Sequence, residues 1–143
     1  MTNPDASKFL RLAAGDLADA RRMVHLQGFR ASSIGFLLQQ ATEKALKGWL
    51  YTLGSQSPFT HDLALLMDLV DQQGGNTDRY AVLIGLGIFA VQLRYDDQTD
   101  LSMPPWEDVL DLVEQLLQEV DTNSAVDLND GLFGVPKWED WTS

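Results

Sequence analysis

Over long stretches of this chain apolar residues recur at intervals of three and four. From residue 31 onward Ile34, Leu38, Ala41, Ala45 and Gly48/Trp49 keep that spacing until Gly54 and Pro58 break it. Residues so spaced lie on one face of an α-helix, whereas one face of a strand would need every second residue. A helix over 31–53 is predicted. Phe9, Ala13, Leu17, Ala20 and Val24 repeat the pattern before it and predict a helix over 5–26.

Three further segments follow. Thr60 can cap a short helix whose dipole Asp62 complements, with Leu63, Leu66, Met67 and Val70 on its buried face and Gly74-Gly75 at its end. Residues 77–95 carry two apolar stripes, Ala81, Ile84, Ile88, Val91 and Tyr95 beside Val82, Leu86, Phe89 and Leu93. Two adjacent stripes predict a helix covered on most sides, by its own domain and by a second chain. Gly85 and Gly87 would each destabilise such a helix by about 1 kcal/mol relative to alanine, which makes sense where another backbone comes close. Ile84, Gly85, Gly87, Ile88 and Val91 are therefore the predicted dimer contact. The prolines of "LSMPPW" open a last helix with Glu107 and Asp108 in its first turn and Val109, Leu112, Leu116 and Val120 along its stripe.

The fold class that follows is all-α, an antiparallel up-down bundle of about five helices with an irregular C-terminal tail. Residues 1–121 form the bundle. Residues 122–143 form an acidic tail with interleaved aromatics, Phe133, Trp138 and Trp141 among them, that packs back on the bundle or docks on a partner. No strand-like alternation, internal repeat or Gly-rich phosphate loop occurs.

Composition narrows the chemistry. With no cysteine, disulfides, thiolate nucleophiles and cysteine-zinc sites are excluded, and His25 and His61 are the two imidazoles. The net charge of −11 is uneven: residues 96–143 hold one Lys against thirteen Asp/Glu, a balance of −12, while residues 1–95 balance at +1. An acidic third opposes nonspecific binding of nucleic acid, which relies on clustered Lys and Arg. The first residues lack the basic and apolar regions of a secretory signal, and no apolar run approaches a membrane span, so a cytoplasmic location is the expectation.

The heptapeptide Arg94-Tyr95-Asp96-Asp97-Gln98-Thr99-Asp100 poses the sharpest chemical question. Its D-D-x-x-D order could hold Mg²⁺, as in all-helical isoprenoid synthases. Those enzymes need a far longer chain and a second acidic motif, so neither a metal nor a cofactor is expected here.

Residues 36–54, "FLLQQATEKALKGWLYTLG", with "PFTHDL" at 58–63 and "RY" at 94–95, resemble the HEPN domain family (higher eukaryotes and prokaryotes nucleotide-binding). That family carries a "QQAAEKALKALL" run in its second helix, "THDL" at the start of the third and "RYPD" after the fourth. The resemblance spans about residues 7–121. It implies an antiparallel bundle, usually a homodimer, found mostly in prokaryotes and often encoded beside a minimal nucleotidyltransferase in a pair that resembles a toxin-antitoxin system. Many such proteins are metal-independent endoribonucleases whose signature is an arginine with four to six residues between it and a histidine.

Measured against that signature, Arg94 should be followed by histidine at 99, 100 or 101, where Thr99, Asp100 and Leu101 stand. Without it no group in that loop titrates near neutrality to move a proton from a ribose 2′-hydroxyl. The chain fits the subgroup written "RYP", with Asp96 in place of the proline. The expectation is a non-catalytic homodimer that partners a nucleotidyltransferase and binds a nucleotide. The alternative is an endoribonuclease with a departed motif, using Arg94 and His61. Arg94, Tyr95, His61, Lys44, Lys47 and Gln40 are the candidate ligand-binding residues. Lys44, Lys47 and Arg94 are natural phosphate donors, and Gln40, Glu43, Lys44 and Lys47 share a helix face at spacings of three and four.

Overall fold

Asn3 starts the first helix by accepting hydrogen bonds from the amides of Asp5 and Ala6, with Pro4 in the first turn where no donor is needed. The computed structural model of the protein describes residues 3–91 and 103–123, and all their regular structure is helical: α1 Pro4–Leu26, α2 Ala31–Thr52, α3 Leu63–Gln72, a 3₁₀ helix Asp78–Gly87, α4 Ile88–Val91 and α5 Trp106–Asn123. The expected all-α bundle is what forms. Among the described residues no helix is long and apolar enough to cross a membrane.

Helix α2 is the axis, touching every other element. Its predicted stripe, Ile34, Leu38, Ala41, Ala45 and Trp49, is buried throughout. Small residues let α1 lie close along it. Ala6, Ala13, Ala14, Ala18 and Ala20 are buried on α1, and a Cβ added at Gly48 would stand 3.4 Å from the carbonyl oxygen of Ala6. The two helices are joined by a tight turn in which Gln27 (φ 63°) and Gly28 (φ 86°) take left-handed conformations. Helix α5 runs antiparallel to α1, since Arg21 meets Glu114 at 3.4 Å and His25 meets Glu107 at 3.7 Å.

Three local expectations are corrected. The cap of α3 is Asp62, whose carboxylate accepts from the Leu65 amide, while Thr60 sits outside the helix and accepts from the Asp62 amide. The stripe of α5 is wider than predicted, with Leu110, Val113 and Leu117 buried beside Val109, Leu116 and Val120, and Leu112 half-buried.

The third correction concerns residues 77–95. Residues 78–87 form a 3₁₀ helix, and the buried line is Tyr80, Leu83, Leu86 and Phe89. Ala81, Val82 and Ile84 are exposed. The cause is geometric: at 3.6 residues per turn, side chains three apart drift by about 60° per step, so an α-helix would put Tyr80 and Phe89 on opposite faces. At 3.0 residues per turn they stack in one row. Gly85 also has a local reason, because a Cβ there would come within 2.9 Å of the Met103 sulfur of the same chain. Gly87 faces open space. Leu93, Arg94, Tyr95 and the acidic residues of the heptapeptide lie outside the described residues, as do the side chain of Val91 and the tail from 124.

Candidate functional site

Glu43 occupies the middle of α2 on the side facing the residues that enter α3. Its side chain is only 6% exposed, yet it is ionisable, and such a group must be paired or hydrogen-bonded to stay charged. Three neighbours arrange this directly, and a fourth residue orients one of them. The Glu43 carboxylate accepts from Lys47 Nζ at 3.0 Å and from Gln39 Nε2 at 3.1 Å, and His61 Nδ1 lies 2.7 Å from its Oε1. Gln40 donates to the Gln39 side-chain oxygen at 2.7 Å, which fixes that amide's orientation. Gln39 is fully buried, and its Nε2 also reaches the His61 carbonyl at 3.5 Å.

The electrostatics follow from this count of donors. Burial on its own would raise the Glu43 carboxyl; the hydrogen bonds from His61, Lys47 and Gln39, with the Lys47 charge, outweigh it and hold the carboxyl below its ordinary value. With Glu43 ionised, His61 Nδ1 must carry a proton and donate it. The other ring nitrogen is left to solvent, since the imidazole is 70% exposed. The result is an imidazole at the surface whose tautomer is set by a carboxylate below it.

The predicted polar face of α2 therefore divides. Lys47 belongs with Glu43 and is 12% exposed, so the pair is an interior one and not the helix-surface pair its spacing alone indicates. Lys44 turns the other way, to Asp16 of α1 at 2.6 Å. Burial pushes the Asp16 carboxyl up by more than the Lys44 hydrogen bond and charge draw it down, and Asp19 pushes in the same direction as burial. Both lysines thus already have a carboxylate. Gln40 joins the network through Gln39, whereas Arg94 and Tyr95 fall outside the described residues. His25, at the far end of α1 beside Glu107, takes no part. Among the described residues no group of three or more His, Cys, Asp or Glu is placed to hold a metal.

Neither hub residue, Gln39 or Glu43, was among the candidate ligand-binding residues, although Glu43 was placed on the polar face of α2. Gln39 and Glu43 stand four apart, and Glu43 and Lys47 four apart again, which was the available signal for a single network along one helix face. It could not show that His61, eighteen residues later, closes the network from above.

This geometry sits within a recognisable class. The HEPN domain model matches residues 6–123 of this bundle. The chain belongs to the HEPN domain family. No curated protein and no solved structure gives a significant match.

Proposed function

We propose that the chain works as a non-catalytic HEPN homodimer in the cytoplasm that docks a protein of the minimal nucleotidyltransferase type, in a pair of the toxin-antitoxin kind, and takes a nucleotide between Arg94, Tyr95, His61 and Gln40. The observation that carries this reading is the state of the Glu43 network. Lys47 is neutralised and sequestered, Lys44 is tied to Asp16, and His61 is the one imidazole at the site. Proton transfer to and from a 2′-hydroxyl normally needs an acid and a base, and this site offers a single imidazole. Exposed Val82 and Ile84, with open space at Gly87, support a second copy covering the 3₁₀ helix.

The deciding experiment combines light scattering on the purified chain, incubation of the same sample with labelled RNA, and co-purification with a coexpressed minimal nucleotidyltransferase. A dimer that leaves RNA intact and retains the nucleotidyltransferase is expected. A monomer that retains nothing would overturn the reading.

One observation favours the ribonuclease alternative: a carboxylate holds Nδ1 of His61 and leaves Nε2 facing outward, the arrangement in which an imidazole exchanges protons with a bound substrate. On that reading RNA is cleaved by the wild type and cleavage is lost in both His61→Ala and Arg94→Ala. Equal cleavage in all three chains would indicate a contaminant and sink it.

A further inference from the structure

Away from the Glu43 network, a hollow of about 520 Å³ lies between the start of the 3₁₀ helix and the last two turns of α5. Asn76, Asp78 and Arg79 form one wall, and Gln115, Gln118, Glu119 and Thr122 the other. Among the described residues every lining side chain is polar. We propose that this hollow binds a small aliphatic amine, a molecule carrying ammonium or guanidinium groups on a flexible chain, through Glu119 and Asp78 with the side-chain amides completing its hydrogen bonds.

Three independent features give the hollow its preference for a cation. The described lining holds two carboxylates, Asp78 and Glu119, against one guanidinium, and that guanidinium lies over the Tyr80 ring, 5.9 Å from its centroid. The wall formed by α5 is its last two turns, toward the negative end of the helix dipole, and its last turn has no basic residue to offset it. The chain as a whole carries −11, which concentrates cations and repels anions such as phosphates.

The walls are also fixed before any ligand arrives. The buried Tyr80 hydroxyl donates to the Glu119 carboxylate and holds it at the base of the hollow. Opposite, the Asp71 carboxylate accepts from both the amide and the hydroxyl of buried Thr77, at 2.9 and 3.0 Å, which pins the turn that presents Asn76 and Asp78. A rigid site spares a flexible ligand part of the ordering cost of binding. Asn76, Gln115 and Gln118 supply neutral acceptors and donors for a second nitrogen or for a carboxylate on the same molecule, and Arg79 supplies a partner for that carboxylate.

Titration calorimetry of the full chain with spermidine, with L-arginine and with AMP tests the proposal, alongside Glu119→Gln, Asp78→Asn and Glu107→Gln. Glu119→Gln keeps an oxygen for the Tyr80 hydroxyl, Asp78 is exposed, and Glu107 lies at the opposite end of α5 as a control for charge alone. Saturable one-site binding of spermidine or arginine is expected, with AMP inert. A purely aliphatic polyamine site favours spermidine; a site that also uses Arg79 favours arginine. Affinity should fall about tenfold or more in the first two variants and stay within about twofold in the third. No binding of either amine, equal weakening by Glu107→Gln, or unchanged affinity in Glu119→Gln whose melting curve matches the wild type would each overturn it.

Discussion

Gly15 and Gly35 invite the same substitution with opposite outcomes. Both lie inside long helices, α1 and α2, where alanine is favoured over glycine by about 0.8–1.0 kcal/mol. At Gly15 an added Cβ meets nothing within 4 Å, so Gly15→Ala should stabilise by close to that full amount. At Gly35 the added Cβ would stand 2.6 Å from three carbons of the Phe89 ring. That ring is fully buried and packs against Trp106 at 5.9 Å between centroids, so its retreat moves a second aromatic. Overpacking of this kind costs about 1–3 kcal/mol, which exceeds the gain in propensity. Gly35→Ala should therefore destabilise by about 1 kcal/mol, leaving the two variants about 2 kcal/mol apart. Thermal melts followed by circular dichroism would read this as a separation of roughly 5–10 °C for a chain of this size. A Gly35→Ala protein as stable as the wild type would refute the argument that Phe89 is clamped against α2.

Further outcomes follow from the polar groups. Glu43 is held below its ordinary value of 4.5, so its contribution to stability is present above about pH 4.5 and is lost as pH falls through its folded value; Glu43→Gln should flatten the acid side of the stability curve. Asp16 is raised above its ordinary 3.8, so it opposes folding once ionised, and Asp16→Asn should steepen the same acid limb when urea midpoints are compared from pH 3 to 6. Burial, then the hydrogen bond to Glu119, pushes the Tyr80 phenol up to about 12, so an ultraviolet titration should show one tyrosine that ionises well after the ordinary range. If the proposed dimer forms through the 3₁₀ helix, Ile84→Asp should shift it to monomer by light scattering, since Ile84 is 40% exposed and a carboxylate at a partner surface opposes its burial.

The parts of the fold legible in sequence were those where one periodicity ruled. Helices α1 and α2 begin and end within a residue or so of their predicted bounds, because an uninterrupted 3.6 repeat is bounded by recognisable breakers, Gly28 at one junction and Gly54 at another. The segment from Tyr80 to Phe89 was misread because its apolar residues fit a three-residue repeat and a 3.6 repeat about equally well when Ala81, Val82 and Ile84 are counted too. Nothing in composition separates those repeats; contact with Trp49, Gly35 and α5 does. At the candidate site, His61, Lys47 and Gln40 were named from the family run and do converge. The direction in which Lys44 and Lys47 part was not legible, since helix spacing fixes angles about an axis and not which neighbour stands at each angle.

The 3₁₀ helix has a consequence in length. Ten residues at about 2.0 Å each span about 20 Å, while the same ten wound as α would span about 15 Å. Ile88 and Phe89 are therefore held some 5 Å further along than an ordinary helix would place them, and Phe89 is seated there over Gly35. Residues 78–87 act as a spacer whose length is set by winding rather than by residue number. A single deletion in it would shorten the reach by only about 2 Å but would turn every member of the row before the deletion out of line with Phe89 by a third of a turn.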